Sequence, residues 1–378
     1  MISTLSFYWE EKGREIPKGA GGRDILDPYR NLALEKYLTF HAEEGECILY
    51  LWQNRRTVVI GKNQNAWKEC RVNALEADGG SLVRRLSGGG AVYHDPGNLN
   101  FSFCVRKGDY DAARQLEVIL LAVRMLGIPA EKSGRNDLVI PDGKNPSTGG
   151  EAEHKDRQET AAGEGGGRAA AAAGEGGRKF SGNAFYKSGE FCCHHGTLML
   201  NVDTGELGRY LQVSREKLQG KGISSVQSRV ANLQEYVPGL TCEMLAERLR
   251  EAFSVVYHLP VQPFLPSRFN ETEIAEDREF FASWDWRFGR KIPFTERLEK
   301  RFSWGGMELL LCVNGGHITD CCCYSDAMDQ ELAGELCLAL KGQRFEKKEV
   351  LSAVERAGAG PEALPMKGDL LLWLEEEL

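Results

Sequence analysis

Apolar and polar residues alternate from Asn98 to Phe103, and Leu99, Phe101 and Phe103 share one face, a period of two that predicts a strand. Runs at 5–9, 47–52, 57–60 and 138–140 read as further strands. Lys187-Ser188-Gly189-Glu190 reads as a hairpin turn leading to a strand from His195 to Val202. Elsewhere the spacing becomes helical. Leu116, Ile119, Leu120, Val123 and Leu126 recur at three and four positions, which predicts a helix over 109–126. Asp27-Pro28 supplies an N-cap and a first-turn proline to a helix whose apolar face holds Leu32, Ala33, Tyr37 and Leu38. Helices are also predicted over 67–77, 271–283 and, capped by Thr241, 242–257. The stretch 260–266 reads as a linker. Beyond it, strands over 298–304, 307–313 and 317–324, turned at Gly305-Gly306 and Asn314-Gly315-Gly316, precede two or three closing helices.

Between 143 and 178 half the residues are Gly or Ala and none is Val, Ile, Leu, Met or aromatic. Such a segment buries too little surface to offset its ordering entropy, and a disordered insertion is expected. At 378 residues the chain has the length of two domains. No apolar run reaches membrane-spanning length, and the first residues lack a signal-peptide core. A formal charge of −8 argues against general nucleic-acid binding, so an acidic partner must meet a local basic patch. The eleven cysteines follow no disulfide framework and read as reduced thiols of a cytosolic protein.

One stretch has little use in packing alone: Arg84 to Phe103, RRLSGGGAVYHDPGNLNFSF. Three glycines suggest that something approaches the backbone closely, and free N–H groups beside Arg84 and Arg85 favour an anion such as a nucleotide phosphate. No Lys-Ser or Lys-Thr follows, so it is not a P-loop, and the spacing is not that of a dinucleotide fold. A glycine-rich hairpin flanked by solvated arginines remains the plainer reading. Cys192-Cys193-His194-His195 invites a zinc reading, but adjacent strand residues point to opposite faces and cannot easily close one tetrahedron, so no dedicated metal cluster is expected. Cys321 to Cys323 read as small packing residues.

That stretch, with GRNDLVI, RKFSGNA and HHGTLMLNVD in the same order, closely resembles the bacterial lipoate-protein ligases of the biotin and lipoyl protein ligase superfamily. DPYRNLALE, VVIGKNQNAWKEC, KGISSVQSRVANL, SWDWRFG and FSWGGMEL extend the resemblance over nearly the whole chain outside two insertions. The resemblance implies an α+β fold, with a mixed-sheet catalytic domain over 1–261 and a smaller α+β accessory domain over 268–378. It implies that lipoate and ATP, with Mg2+, give lipoyl-AMP, and that the lipoyl group passes to a lysine of an acceptor. Lipoyl domains of 2-oxoacid dehydrogenase E2 subunits and the glycine-cleavage carrier protein are the implied partners, with no nucleic acid and no membrane.

By the same resemblance Lys179 is the catalytic residue, bridging the lipoate carboxylate and the α-phosphate. Arg85 and the backbone of Gly90, Ala91, Val92 and Tyr93 contact ATP, with Gly88 and Gly89 shaping the loop. Arg85, His94 and His195 are implied lipoate contacts, although hydrogen-bonded structural histidines would look the same. Asn98, Asn136 and Asp137 are polar contacts or structural loop residues. Lys187, Lys221 and Arg229 are candidates for the basic patch. Two other readings stay open: an ATP-independent octanoyl or lipoyl transferase with a cysteine nucleophile, and a non-catalytic module that binds a lipoyl group or nucleotide. The 143–178 insertion is read as an inert loop, because long surface loops cost little closure entropy. Deleting it is expected to leave turnover nearly unchanged in a steady-state assay, and a large loss would favour the other readings, a flap over the site or a contact with the acceptor protein.

Overall fold

A computed structural model describes residues 1–9, 24–134, 136–142, 177–212, 230–289, 293–357 and 364–378. Positions 143–176 of the expected insertion, with Arg135, Lys221 and Arg229, lie outside the described residues. The strands run in chain order as β1 (Thr4–Trp9), β2 (Glu46–Trp52), β3 (Thr57–Ile60), β4 (Ser81–Arg84), β5 (Val92–His94), β6 (Asn98–Arg106) and β7 (Glu131–Ser133). They continue as β8 (Asp137–Pro141), β9 (Gly177–Ser188), β10 (Phe191–Met199), β11 (Val261–Pro263), β12 (Glu296–Phe302), β13 (Gly305–Asn314) and β14 (His317–Ser325).

Eight strands form one mixed sheet in the order β11-β1-β2-β6-β10-β9-β8-β7. β6 is buried along almost its whole length, so both of its faces are covered. Its alternation separates two environments. Leu99, Phe101, Phe103 and Val105 enter a core shared with the helices Ala112–Arg124 and Cys242–Tyr257. Asn98, Asn100, Ser102 and Cys104 take the other face, covered in part by the helix Pro28–Phe40. β10 pairs with β6 in antiparallel register and divides in the same way, with Cys192 and Leu198 in the first core and Cys193 on the opposite side. A sheet with one largely apolar face and one more polar face is a scaffold for a site on the polar side.

The helix Pro28–Phe40 starts where expected, with the Asp27 side chain accepting from Tyr29 N. It is buried on nearly every side because the helix Glu271–Ala282 packs over its outer face. Lys36 pairs there with Asp277, and Arg30 with Glu271 at 3.3 Å. The accessory domain expected over 268–378 includes that outer helix. Instead its Ile274 and Phe281 join Leu34, Tyr37 and Tyr50 in the second core. The 260–266 linker is also corrected, since Val261 to Pro263 extend the main sheet as β11, parallel to β1. The expected helix over 67–77 is two, Ala66–Glu69 and Val72–Ala77, broken where Cys70 bridges to Leu211. β3 does not pair with β2. It is the centre of a small sheet, β4-β3-β5, that holds the glycine loop between β4 and β5.

The distal unit builds its own core. β12, β13 and β14 form an antiparallel sheet covered by the helices Leu332–Leu340, Lys347–Arg356 and Leu364–Glu377. Leu309, Leu311, Leu336 and Trp373 are fully buried between these layers. The turn between β12 and β13 falls at Ser303 and Trp304, and the expected turn residues Gly305 and Gly306 open β13. The fold class is therefore α+β, a large mixed sheet followed by a smaller α+β unit. No helix among the described residues is long and apolar enough to cross a membrane.

Gly97 fixes the turn that feeds β6. Its carbonyl accepts from Leu200 N and Asn201 N, and a Cβ would lie 2.1 Å from Asn201 O. The obstacle is backbone and cannot rotate away. Gly97→Ala is expected to lower unfolding free energy by about 1–3 kcal/mol, the usual cost of overpacking. Gly108→Ala, whose methyl meets nothing within 4 Å, is the control for urea denaturation of both variants.

Candidate active site

On the polar side of β6, β9 and β10 lies a cavity of about 170 Å³, open beneath the glycine loop. Leu32, Trp52, Val59 and Ala184 give it apolar walls, and Arg85, His94, Asn136, Lys179 and His195 bring polar groups to it. The alternation of β5 explains one division. Val92 and His94 line the cavity, whereas the Tyr93 side chain is buried on the other face, 5.7 Å from the Tyr210 ring.

The two arginines have different tasks. Arg84 donates to the carbonyls of Gly61, Lys62 and Gln64 at 2.6–3.1 Å and to those of Trp286 and Arg287 at 2.8 Å. All of its fork is used, so the anion-binding role read for Arg84 is corrected to that of a pin between two loops. Arg85 lines the cavity and folds the glycine loop around itself. Its guanidinium donates to Ser87 Oγ at 3.0 Å, Gly88 O at 2.6 Å and Gly90 O at 2.9 Å. Burial pushes its pKa down to about 10, which still leaves it charged at neutral pH.

Gly88 and Gly89 touch the distal unit. Gly89 has φ +89° and donates its N–H to Ala327 O at 2.8 Å. A Cβ on Gly88 would meet Ala327 O at 2.6 Å, so closeness requires glycine at 88 and conformation requires it at 89. Met328, just beyond, forms part of the cavity wall. Gly90 and Ala91 also line the cavity.

Lys179 enters from β9 and pairs with Asp137 Oδ1 of β8 at 2.7 Å. Each side chain is 38% exposed, so the pair is partly solvated and available to a competing anion. Asn136 lines the cavity, and its Nδ2 donates to Asn183 O at 3.2 Å. Asn98 lies outside it; its amide donates to Asn100 Oδ1 at 2.8 Å, and Asn100 is the residue that reaches the cavity. Lys187 lies with its ammonium 5.4 Å from the Tyr110 ring centroid, away from the cavity.

The histidines are set by their partners. Asn54 Oδ1 accepts from Asn31, so Asn54 Nδ2 faces His94 Nδ1 at 3.2 Å. His94 Nδ1 therefore accepts, and Nε2 carries the proton. Nε2 is buried without a protein partner on a residue that lines the cavity, a donor available to a ligand. Burial pushes the His94 pKa down to about 3. His195 lies between Glu35 Oε1, 2.7 Å from Nδ1, and Ser87 Oγ, 2.6 Å from Nε2. Glu35 and Ser87 were given no role from sequence, although a glutamate three residues from Leu32 on a largely apolar helix was the available signal.

Fold and cavity together define an α+β protein with a pocket that sets a glycine loop and two cations against apolar walls. The chain belongs to the lipoyl protein ligase A/B catalytic domain family, whose model matches residues 27–254. The bacterial lipoate protein ligase C-terminus matches residues 291–361, and the protein is an enzyme of the lipoate-protein ligase class. Similar solved structures include LipL1 of P. falciparum in complex with lipoate, 24% identical with 99% of each chain covered and a TM-score of 0.74. An archaeal bipartite lipoate protein ligase studied with its E2 lipoyl domain from Thermoplasma acidophilum is 24% identical, covering 77% of this chain and 99% of that one, with a TM-score of 0.57. Lipoate-protein ligase A bound with ATP is 23% identical, covering 76% and 99%, with a TM-score of 0.53.

His94 and the neighbouring core residue His194 carry a pH consequence, since burial holds both pKa values down to about 3 from an ordinary 6.5. The unfolded chain binds these protons near pH 6.5 and the folded chain withholds them until about pH 3. Stability is thus full above pH 6.5 and falls as pH drops through that window. Urea unfolding between pH 7 and 4 is expected to show this slope, and His94→Gln is expected to make it shallower.

Proposed function

We propose that this enzyme is an ATP-dependent lipoate-protein ligase that makes lipoyl-AMP and transfers the lipoyl group to a lysine of a lipoyl-acceptor domain. The observation that carries the reading is the convergence of Lys179, Arg85 and the glycine loop on one cavity with apolar walls. An apolar acyl chain fits the walls, and its carboxylate fits the cationic end. The similar structures bound to lipoate and to ATP support the two substrates. The archaeal ligase and its E2 lipoyl domain support a lipoyl-domain acceptor. We assign E2 lipoyl domains and the glycine-cleavage carrier protein as acceptors, in a cytoplasm that keeps the eleven free cysteines reduced.

A carboxylate is a poor acyl donor because oxide would have to leave. Adenylation solves this: a lipoate oxygen attacks the α-phosphorus, the bond to the β-phosphate breaks, and pyrophosphate departs. Lys179, released from Asp137, bridges the two anions and stabilises the charge that develops. At about 4 Å and an effective dielectric of about 20, each such pair is worth about 4 kcal/mol before desolvation. The Nε2–H of His94 holds the carboxyl oxygen, and Arg85 keeps the loop amides aimed at phosphate. Asp137 and Asn136 offer the oxygen atoms that suit a hard cation, so ATP is taken as its magnesium complex. In the second step the acceptor amine attacks the acyl carbon, the C–O bond to AMP breaks, and AMP leaves while the amine loses a proton to solvent.

The transferase alternative needs an accessible thiolate. None of the eleven cysteines lines the cavity. A hydrogen bond to Cys104, with burial, pushes the Cys193 thiol well up, and burial raises Cys192 as well. Lipoate-dependent exchange of pyrophosphate into ATP tests the proposal. Lys179→Ala is expected to lower exchange by about 10²-fold or more, with the circular dichroism spectrum retained. Unchanged exchange in that variant would remove Lys179 from its role. Octanoyl transfer from a thioester without ATP, in the absence of any exchange, would overturn the ligase reading.

A further inference from the structure

We propose that Glu35, Cys193 and His195 form a binding site for a thiophilic divalent cation, Zn2+ in the first instance, behind the inner wall of the cavity. Their ligating atoms all lie within 4.8 Å of one another, and all three residues are buried. The zinc reading of the sequence failed because adjacent residues face opposite ways. Positions 193 and 195 are two apart on β10 and share the face that looks toward the helix Pro28–Phe40, from which Glu35 projects. Cys192 and His194 point the other way, with Cys192 in the apolar core and His194 stacked on Phe103.

The donor set is one thiol, one imidazole and one carboxylate, which suits Zn2+ rather than the all-oxygen sites of Mg2+ or Ca2+. Three protein ligands leave one tetrahedral position. Cys104, the cross-strand partner of Cys193 and hydrogen-bonded to its thiol, stands beside it. The groups that orient such ligands are already in place. Ser102 Oγ donates to Glu35 Oε1 at 2.5 Å, Ser87 Oγ meets His195 Nε2 at 2.6 Å, and Thr39 Oγ1 donates to Cys104 Sγ at 3.4 Å. Metal-bound imidazoles and carboxylates depend on partners of this kind. His195 lines the cavity, which gives a cation its entry.

Binding balances simply. Cys193 loses its thiol proton to solvent, and the imidazole proton moves from Nδ1 to Nε2, freeing Nδ1 for the metal. Nε2–H then donates to Ser87 Oγ, reversing that hydrogen bond. Because Ser87 also accepts from Arg85, the cation is linked to the glycine loop through two hydrogen bonds.

The test titrates Co2+ into the reduced, chelator-treated full chain, then displaces it with Zn2+. One equivalent is expected, with a thiolate-to-cobalt charge-transfer band and the intense d–d bands of a tetrahedral ion. Cys193→Ser is expected to abolish the charge-transfer band, or to weaken it by about half where Cys104 supplies the fourth ligand. Binding of the wild-type protein without that band, or a band of undiminished intensity in Cys193→Ser, overturns the proposal. X-ray absorption on the wild-type zinc protein needs no variant to fold: one or two sulfurs at about 2.3 Å support the site. A shell of four sulfurs, or of none, overturns it.

Discussion

A single buried hydrogen-bond chain joins the elements that make the cavity. Glu35 accepts from His195, His195 accepts from Ser87, and Ser87 accepts from Arg85, which in turn donates to Gly88 and Gly90. These directions are those of the neutral imidazole that carries its proton on Nδ1, toward Glu35. Leaving one buried member unpaired costs about 1–3 kcal/mol, enough to favour one arrangement of the loop. The helix Pro28–Phe40, β10 and the loop between β4 and β5 are therefore positioned relative to one another by polar contacts, while the apolar face of β6 supplies the bulk of the packing.

This arrangement explains what a single sequence can and cannot reveal. The alternation of Leu99, Phe101 and Phe103 is local, and so are the caps at Asp27 and Thr241; all were legible. Pairing between distant segments is not local. β11 was read as a linker because its partner, β1, lies more than 250 residues earlier, and a three-residue strand containing Pro263 carries almost no signal of its own. The helix Glu271–Ala282 belongs to the second core through Ile274 and Phe281, which an apolar spacing cannot assign to one domain or another.

The site shows the same division. Arg84 and Arg85 are adjacent and chemically identical, yet one is consumed by five backbone carbonyls and the other faces the cavity. Backbone acceptors have no residue signature, so the distinction required coordinates. Glu35 and Ser87 lay inside stretches already singled out. Their importance depends on His195 reaching both from a strand more than 100 residues later. The reading of Cys192 to His195 considered neighbours, whereas the strand sets the alternate residues Cys193 and His195 on one face.

The distal unit places a physical demand on the loop it touches. Gly89 has one N–H, and in this arrangement Ala327 O holds it while Met328 forms part of the cavity wall. Ser325 N on Asn63 O and Gln330 Nε2 on Lys187 O fasten the same turn on either side. Any other acceptor for the Gly89 amide would have to displace the Ala327 carbonyl. The glycine loop and the smaller unit thus share one amide, whose acceptor is that carbonyl.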